Sequence, residues 1–131
     1  MDRKTMEKYL WLYPEIDSEI EKRKEELKFY QSQRERIINL NMSKEYTDSL
    51  LENINTAFSS CANELQEMIE AKIKIDRALN IISPVQKEII KCRFWKAKGR
   101  PTPWEDVADE LCYHRVHVLR LYKDALNKMV S

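Results

Sequence analysis

The residues best suited to chemistry in this chain lie between positions 102 and 123. Arginine can grip O6 and N7 of guanine with two hydrogen bonds, and a histidine ring can donate to a base or to a phosphate. An exposed valine is a natural contact for the methyl group of thymine. These residue types predict double-stranded DNA binding by the following candidates: Thr102, His114, Arg115, Val116, His117, Arg120 and Lys123.

Each candidate also has a plainer interpretation. Arg115 and Arg120 either contact base edges or touch only phosphates. His117 either contacts DNA or packs on Tyr113. The remaining polar candidates are interpreted either as contacts to the DNA backbone or as ordinary solvated surface. This last group consists of Thr102 and Lys123, with Lys96, Lys98 and Arg100 beside them.

The spacing of small and apolar residues around the candidates is typical of a helix-turn-helix. Val107 and Leu111 are four residues apart, and Val118 and Leu121 are three apart, so each pair lies on one face of a helix. Ala108 is small enough for the two helices to cross closely. The second helix is then expected to present its first turn and outer face to the major groove of a duplex.

Two capping patterns predict where helices begin. The segment TPWE at positions 102–105 and the segment SPVQ at positions 83–86 both match the capping box, with proline at the first helical position. The segment KGRP at positions 98–101 contains the only glycine of the chain and predicts a turn. Residues 83–131 are therefore expected to form three helices.

Residues 1–82 carry two seams of residues spaced alternately by three and four. Pro14 separates a short helix expected over residues 6–13 from the first seam, and the segment NLNMS at 39–43 predicts a short connection between the seams. Short connections join antiparallel helices, so we expect a hairpin. The weaker seam is Ile16, Ile20, Arg23, Leu27, Tyr30, Arg34 and Ile37, and the stronger is Leu51, Ile54, Phe58, Cys61, Leu65, Met68, Lys72, Ile75, Leu79 and Ile82.

These patterns together predict an all-α fold of two domains. Residues 1–82 form a long, coiled-coil-like helical hairpin, and residues 83–131 form a three-helix unit with the helix-turn-helix. The seams either bury against each other within one chain or are completed by a second copy. A two-helix hairpin has exposed apolar edges, which favours a homodimer with two recognition helices on one duplex.

The charge of the chain is distributed unevenly. The net charge is +1, but residues 1–82 carry 13 Lys and Arg against 16 Asp and Glu, whereas residues 83–131 carry 10 against 6. The net charges of the two parts are thus −3 and +4, and the basic excess coincides with the motif, as contact with phosphates requires.

The chain has no glycine-rich phosphate loop, no H-E-x-x-H motif and no recognisable pair of catalytic carboxylates. We expect neither enzymatic activity nor a cofactor.

The three cysteines do not indicate a metal or disulfide site. Cys61, Cys92 and Cys112 are far apart and contain no C-x-x-C pair. Cys112, His114 and His117 bring three possible ligands close together, but no fourth ligand has the spacing of a zinc site, so no metal is expected.

There is no run of 18 apolar residues and no signal peptide at Met1, which predicts a cytoplasmic protein.

Residues 83–129 resemble the C-terminal promoter-binding region of bacterial sigma factors. They resemble more closely the small phage and prophage late-transcription regulators of the ArpU and RinA kind. The resemblance rests on Trp104-Glu105 before the alanine, Tyr113 in the turn, His117-Val118, and Ala125-Leu126 near the end. It implies a sigma-like regulator in the bacterial host cell that binds a phage promoter, activates late genes and contacts RNA polymerase.

Two residues depart from the pattern of that family. Cys112 occupies the turn position usually given to glycine, and His114 replaces the serine that usually caps the recognition helix. Two other functions stay open, the second of which these departures permit. One is a DNA-packaging protein similar to a small terminase subunit, and the other is a helical protein-interaction module whose helix-turn-helix does not contact DNA.

Overall fold

The computed structural model describes residues 1–131, which form α-helices and no strands. The prediction of an all-α fold is therefore confirmed. A 3-10 turn at Tyr13–Glu15 separates the first two helices, and one π-helical turn at Lys91–Trp95 continues the fourth. The helices are α1 (Arg3–Leu12), α2 (Ile16–Asn39), α3 (Lys44–Ile81), α4 (Pro84–Ile90), α5 (Trp104–Leu111) and α6 (Arg115–Val130).

The chain divides into two compact units. We call Glu15–Glu70 the hairpin unit, and Met1–Pro14 together with Ala71–Ser131 the terminal unit. This division differs from the expected boundary at residue 82. The leading helix α1 and the last turns of α3 belong with the C-terminal helices, because α1 packs against α6 and the π-helical turn.

The hairpin unit pairs α2 with α3 as the two seams predict. Arg23 on α2 forms a salt bridge of 3.1 Å with Glu64 on α3, and the thiol of Cys61 lies 3.6 Å from the Arg23 carbonyl oxygen. The connection turns at Asn41, whose φ of 56° suits the short polar side chain of asparagine. Ser43 then accepts a hydrogen bond from the Tyr46 amide at the start of α3.

The core of the terminal unit is built from helices that are far apart in the sequence. Met6 and Leu10 on α1 are fully buried, as are Ile89 and Ile90 on α4. The indole of Trp95 donates a 2.6 Å hydrogen bond to the carbonyl of Leu10 and so fastens the end of α1 to the π-helical turn. The helix-turn-helix is thus supported by α1 as well as by α4.

Aromatic rings connect the same helices. Phe94, in the π-helical turn, packs edge-on against Trp11 of α1 with ring centroids 5.6 Å apart. It also lies 6.0 Å from Tyr122 of α6, which packs in turn on Trp104 of α5 at 4.7 Å. Burial raises the pKa of Tyr122, and the nearby Glu7 carboxylate raises it further, so the phenol stays neutral. This cluster joins α1 to α6 through Phe94 and joins α6 to α5 through Tyr122.

One of the two expected capping boxes forms. Ser83 Oγ accepts from the Gln86 amide at 3.1 Å and Gln86 Oε1 accepts from the Ser83 amide at 2.9 Å, with proline at the first helical position. The buried Gln86 side chain also donates to the Leu121 carbonyl on α6. This cap therefore fixes both the start of α4 and its position on α6.

The capping box predicted at residues 102–105 is wrong. Helix α5 begins at Trp104 with Pro103 as the N-cap, and no side chain caps it. The backbone of Thr102 is instead bound by Arg93, whose carbonyl accepts from the Thr102 amide at 3.0 Å and whose guanidinium donates to the Thr102 carbonyl at 2.7 Å. These contacts hold Thr102 one residue too early to cap the helix.

Candidate nucleic-acid interface

Helices α5 and α6 pack closely around the alanine that the sequence pattern singled out. Ala108 is buried, and Val107 on α5 and Val118 on α6 are fully buried. Leu111 and Leu121 complete the two predicted pairs and are half-buried. The two helices therefore bury the expected faces and form a helix-turn-helix.

The turn between α5 and α6 has the left-handed conformation that the pattern requires. Cys112 has φ 58° and ψ 39°. Its amide donates to the Asp109 carbonyl at 3.2 Å, and the Tyr113 amide donates to the Ala108 carbonyl at 3.0 Å. These two bonds form a Schellman motif, which ends a helix with one residue at positive φ. The cysteine thus keeps the sharp turn despite its side chain.

Replacing Cys112 with glycine is expected to stabilise the terminal unit by about 1 kcal/mol, because glycine has no Cβ to crowd the left-handed conformation. Denaturant unfolding followed by tryptophan fluorescence measures the change, since Trp11, Trp95 and Trp104 all lie in this unit. Cys112→Ala is the matched control, because it removes the sulfur but keeps the Cβ. Equal stabilisation by both variants would show that positive φ is not the cause.

The outer face of α6 is open to solvent and mostly basic. Val116, Arg120 and Lys123 are spaced by four and three residues, so they share one face of the helix. Val116 is 78% exposed, which is a large exposure for an aliphatic side chain at the start of a helix. Arg115 is also exposed and lies 3.9 Å from Glu105 on α5. The apolar side chain of Val116 thus lies among the three cationic side chains of this face and of the first turn.

The two histidines have different surroundings. His114 is the N-cap of α6, with extended backbone, and its ring makes no capping bond. His117 is half-buried, packs edge-on against Tyr113 at 5.3 Å, and places Nδ1 2.9 Å from Nη2 of Arg120. The packing of His117 on Tyr113, which was the predicted alternative to a DNA contact, is therefore present. The same ring also holds the Arg120 guanidinium on the outer face.

Most of the predicted residues line one of two surface grooves. One, of about 450 Å³, lies between α1 and α6 and includes Val116, Arg120 and Lys123. The other, of about 420 Å³, lies at the turn and includes His114 and Arg115. Thr102 lines neither groove. Lys98 and Arg100 are exposed in the turn before α5, as their composition predicts.

The exposed side of α5 is acidic. Its carboxylates are Glu105, Asp106, Asp109 and Glu110. Glu110 accepts from the Cys92 thiol at 3.0 Å and pairs with Lys96, and these two bonds lower its pKa. Burial, followed by the Glu110 bond, raises the pKa of Cys92 to about 11, so this cysteine is a thiol at neutral pH. A negatively charged ligand is therefore favoured at α6 and disfavoured along α5.

Two arginines important for this region were missed from the sequence. Arg93 binds the Thr102 backbone and stacks its guanidinium over the Trp104 ring at 4.4 Å, which fastens the turn at residues 96–103 to the start of α5. Arg3 of α1 lies in the same groove as Val116 and hydrogen-bonds to Asn127 of α6. Nothing in the local sequence marks either contact, because the partners follow no helical spacing.

The fold defines this chain as an all-α protein with a helix-turn-helix whose second helix has an exposed basic face. Residues 4–131 match the family DUF722, which is described as a protein of unknown function, and the chain belongs to this family. No curated protein and no solved structure matches the chain. None of the helices has both the length and the apolar character needed to cross a bilayer, and no group of three or more metal-ligating side chains is brought together.

Proposed function

We propose that the protein is a sequence-specific DNA-binding transcriptional regulator that inserts the start of α6 into the major groove. The observation that carries the proposal is the exposed face around Val116. The Val116 side chain is aliphatic, is 78% exposed and lies beside Arg115 and Arg120. It suits the major groove of DNA, which presents both thymine methyl groups and guanine acceptors. The acidic face of α5 leaves α6 as the surface that approaches phosphates.

The biological role follows from the resemblance of residues 83–129 to sigma factors and to regulators of the ArpU and RinA kind. We infer activation of phage or prophage late genes, in a bacterial cytoplasm, with RNA polymerase as a second partner. The basic excess of residues 83–131 supports promoter binding by this part of the chain.

We further propose that the hairpin unit joins two copies of the chain. Toward the connection between α2 and α3, this unit exposes Phe29, Ile38, Leu40, Met42 and Tyr46, each more than half exposed. The last turns of α2 carry Arg34, Glu35 and Arg36, a net charge of +1, while the first turns of α3 carry Lys44, Glu45, Asp48 and Glu52, a net charge of −2. A second copy related by two-fold symmetry can bring each charged set against its opposite while covering the apolar side chains.

Selection from a pool of randomised duplexes tests the proposed function. We expect the full chain to bind its selected duplex at least about a thousandfold more tightly than a scrambled duplex, with affinity falling steeply as salt rises. Equal, weak binding to both duplexes would contradict sequence-specific regulation. No salt-dependent binding at all would instead favour a protein-interaction module.

The mass of the free protein in solution separates the proposal from the packaging alternative. Sedimentation of the full chain is expected to give a dimer. A particle large enough to be a ring would favour a protein similar to a small terminase subunit and would count against the regulator.

A further inference from the structure

The groove between α1 and α6 contains three cations that form no salt bridge. Arg3 comes from α1, and Arg120 and Lys123 come from α6. The salt bridges of the structure pair other basic residues, such as Lys22, Lys24 and Lys96, with carboxylates. One carboxylate, that of Asp124, also lines the groove, so cations outnumber acids there by three to one. The groove is therefore suited to an anionic ligand.

Arg3 extends the basic face of α6 beyond the part that enters the major groove. Val116, Arg120, Lys123 and Asn127 follow one face of α6, and the 11 helical steps from the first to the last span about 16.5 Å. Arg3 hydrogen-bonds to Asn127 at the far end of this row. A group at that distance from the first turn of a recognition helix is placed to meet the sugar-phosphate backbone rather than base edges.

The position of Arg3 is fixed by the start of α1. Asp2 is the N-cap of α1 and accepts a 2.8 Å hydrogen bond from the Thr5 amide. Hydrogen bonding to the Thr5 side chain, followed by this amide bond, lowers the pKa of Asp2. Met6 and Leu10, one and two turns further on, are fully buried. The cap and the buried face together hold the first turn of α1 beside α6.

We infer that Arg3 is a backbone-contacting residue and that the end of the groove formed by Arg3 and Asn127 binds a phosphodiester of the DNA duplex. The inference rests on the proposed function, because it assigns a second part of the chain to the same DNA surface. Contact with a phosphate carries no sequence information directly. Arg3 therefore contributes equally to binding of every duplex, in contrast to Arg115.

The test measures the salt dependence of duplex binding by the full chain carrying Arg3→Ala. Loss of one phosphate contact is expected to make the slope of log K against log salt shallower by about 0.9. Between 0.1 M and 1 M salt, the affinity of the variant therefore falls about eightfold less than that of the wild type. The change is expected to be the same for the selected and the scrambled duplex. Arg3→Lys keeps the charge and is expected to retain the slope.

Two control variants separate charge from structure. Lys22→Ala removes one exposed positive charge from the hairpin unit and is expected to leave the slope unchanged. Asn127→Ala breaks the bond to Arg3 without changing charge, and it too is expected to keep the slope. Tryptophan fluorescence of each variant reports whether the terminal unit remains folded.

The outcomes distinguish this inference from the proposed function. Wild-type binding with the expected specificity, together with an unchanged slope for Arg3→Ala, would overturn the inference alone and leave Arg3 as a structural contact to Asn127. A loss confined to the selected duplex would also overturn it, because it would show contact with a base. Wild-type protein without salt-dependent binding would overturn the proposed function and this inference together.

Discussion

Replacing Phe94 with alanine is expected to lower the free energy of unfolding of the terminal unit by about 3 to 5 kcal/mol, the usual cost of deleting a buried phenylalanine ring. The ring is only 4% exposed and lies between Trp11 of α1 and Tyr122 of α6. Its removal leaves a cavity where the helix-turn-helix meets its supporting helices. We therefore expect DNA binding to weaken at temperatures where the variant begins to unfold.

The measurement is denaturant unfolding followed by tryptophan fluorescence, which reports only the terminal unit. Ile81→Ala provides the control, because it removes a large apolar side chain that lies in the same unit but is 64% exposed. This control is expected to change the tryptophan transition by less than about 0.5 kcal/mol. A loss below about 1 kcal/mol for Phe94→Ala would show that the aromatic cluster does not stabilise this unit.

Replacing Arg115 with alanine is expected to cost about 1 to 3 kcal/mol of binding to the selected duplex and to relax the preference at one base pair. Arg115 is the first residue of α6, where a recognition helix contacts base edges. Its contact with Glu105 is 3.9 Å long and solvent-exposed, so little is lost when the guanidinium turns toward a guanine. The free protein thus holds this arginine loosely.

Binding of the variant to the selected duplex and to single-base variants of that duplex measures the effect. Lys128→Ala removes the same charge from the last turn of the same helix and is expected to leave the base preference intact. If Arg115→Ala weakened all duplexes equally, Arg115 would be a phosphate contact. The source of specificity would then have to lie elsewhere on α6.

Local sequence patterns were sufficient to predict several parts of the structure. The cap at Ser83, the hairpin and the packing of α5 on α6 all depend on residues within a few turns of each other or on one repeated spacing. Each of these features follows from the periodicity or backbone preference of a short segment. The turn residue at positive φ was placed instead by the family resemblance, because Cys112 occupies the position usually given to glycine.

Other parts could not be predicted, because they depend on contacts between distant segments. Nothing in residues 1–14 indicates that α1 packs on α6, since its apolar residues fit any amphipathic helix. The start of α5 moved by one residue because Arg93 binds the Thr102 backbone, and this bond competes with the local capping pattern. Arg3 joined the candidate site for the same reason, since its partner Asn127 lies at the other end of the chain.

NMR mapping of the interface tests whether the exposed face of α6 contacts DNA. Amide chemical shifts of the full chain are followed as its selected duplex is added. We expect the largest changes on residues 114–123 and on the first turn of α1, with α5 affected less. Changes confined to the hairpin unit, with α6 unaffected, would contradict DNA contact by this face.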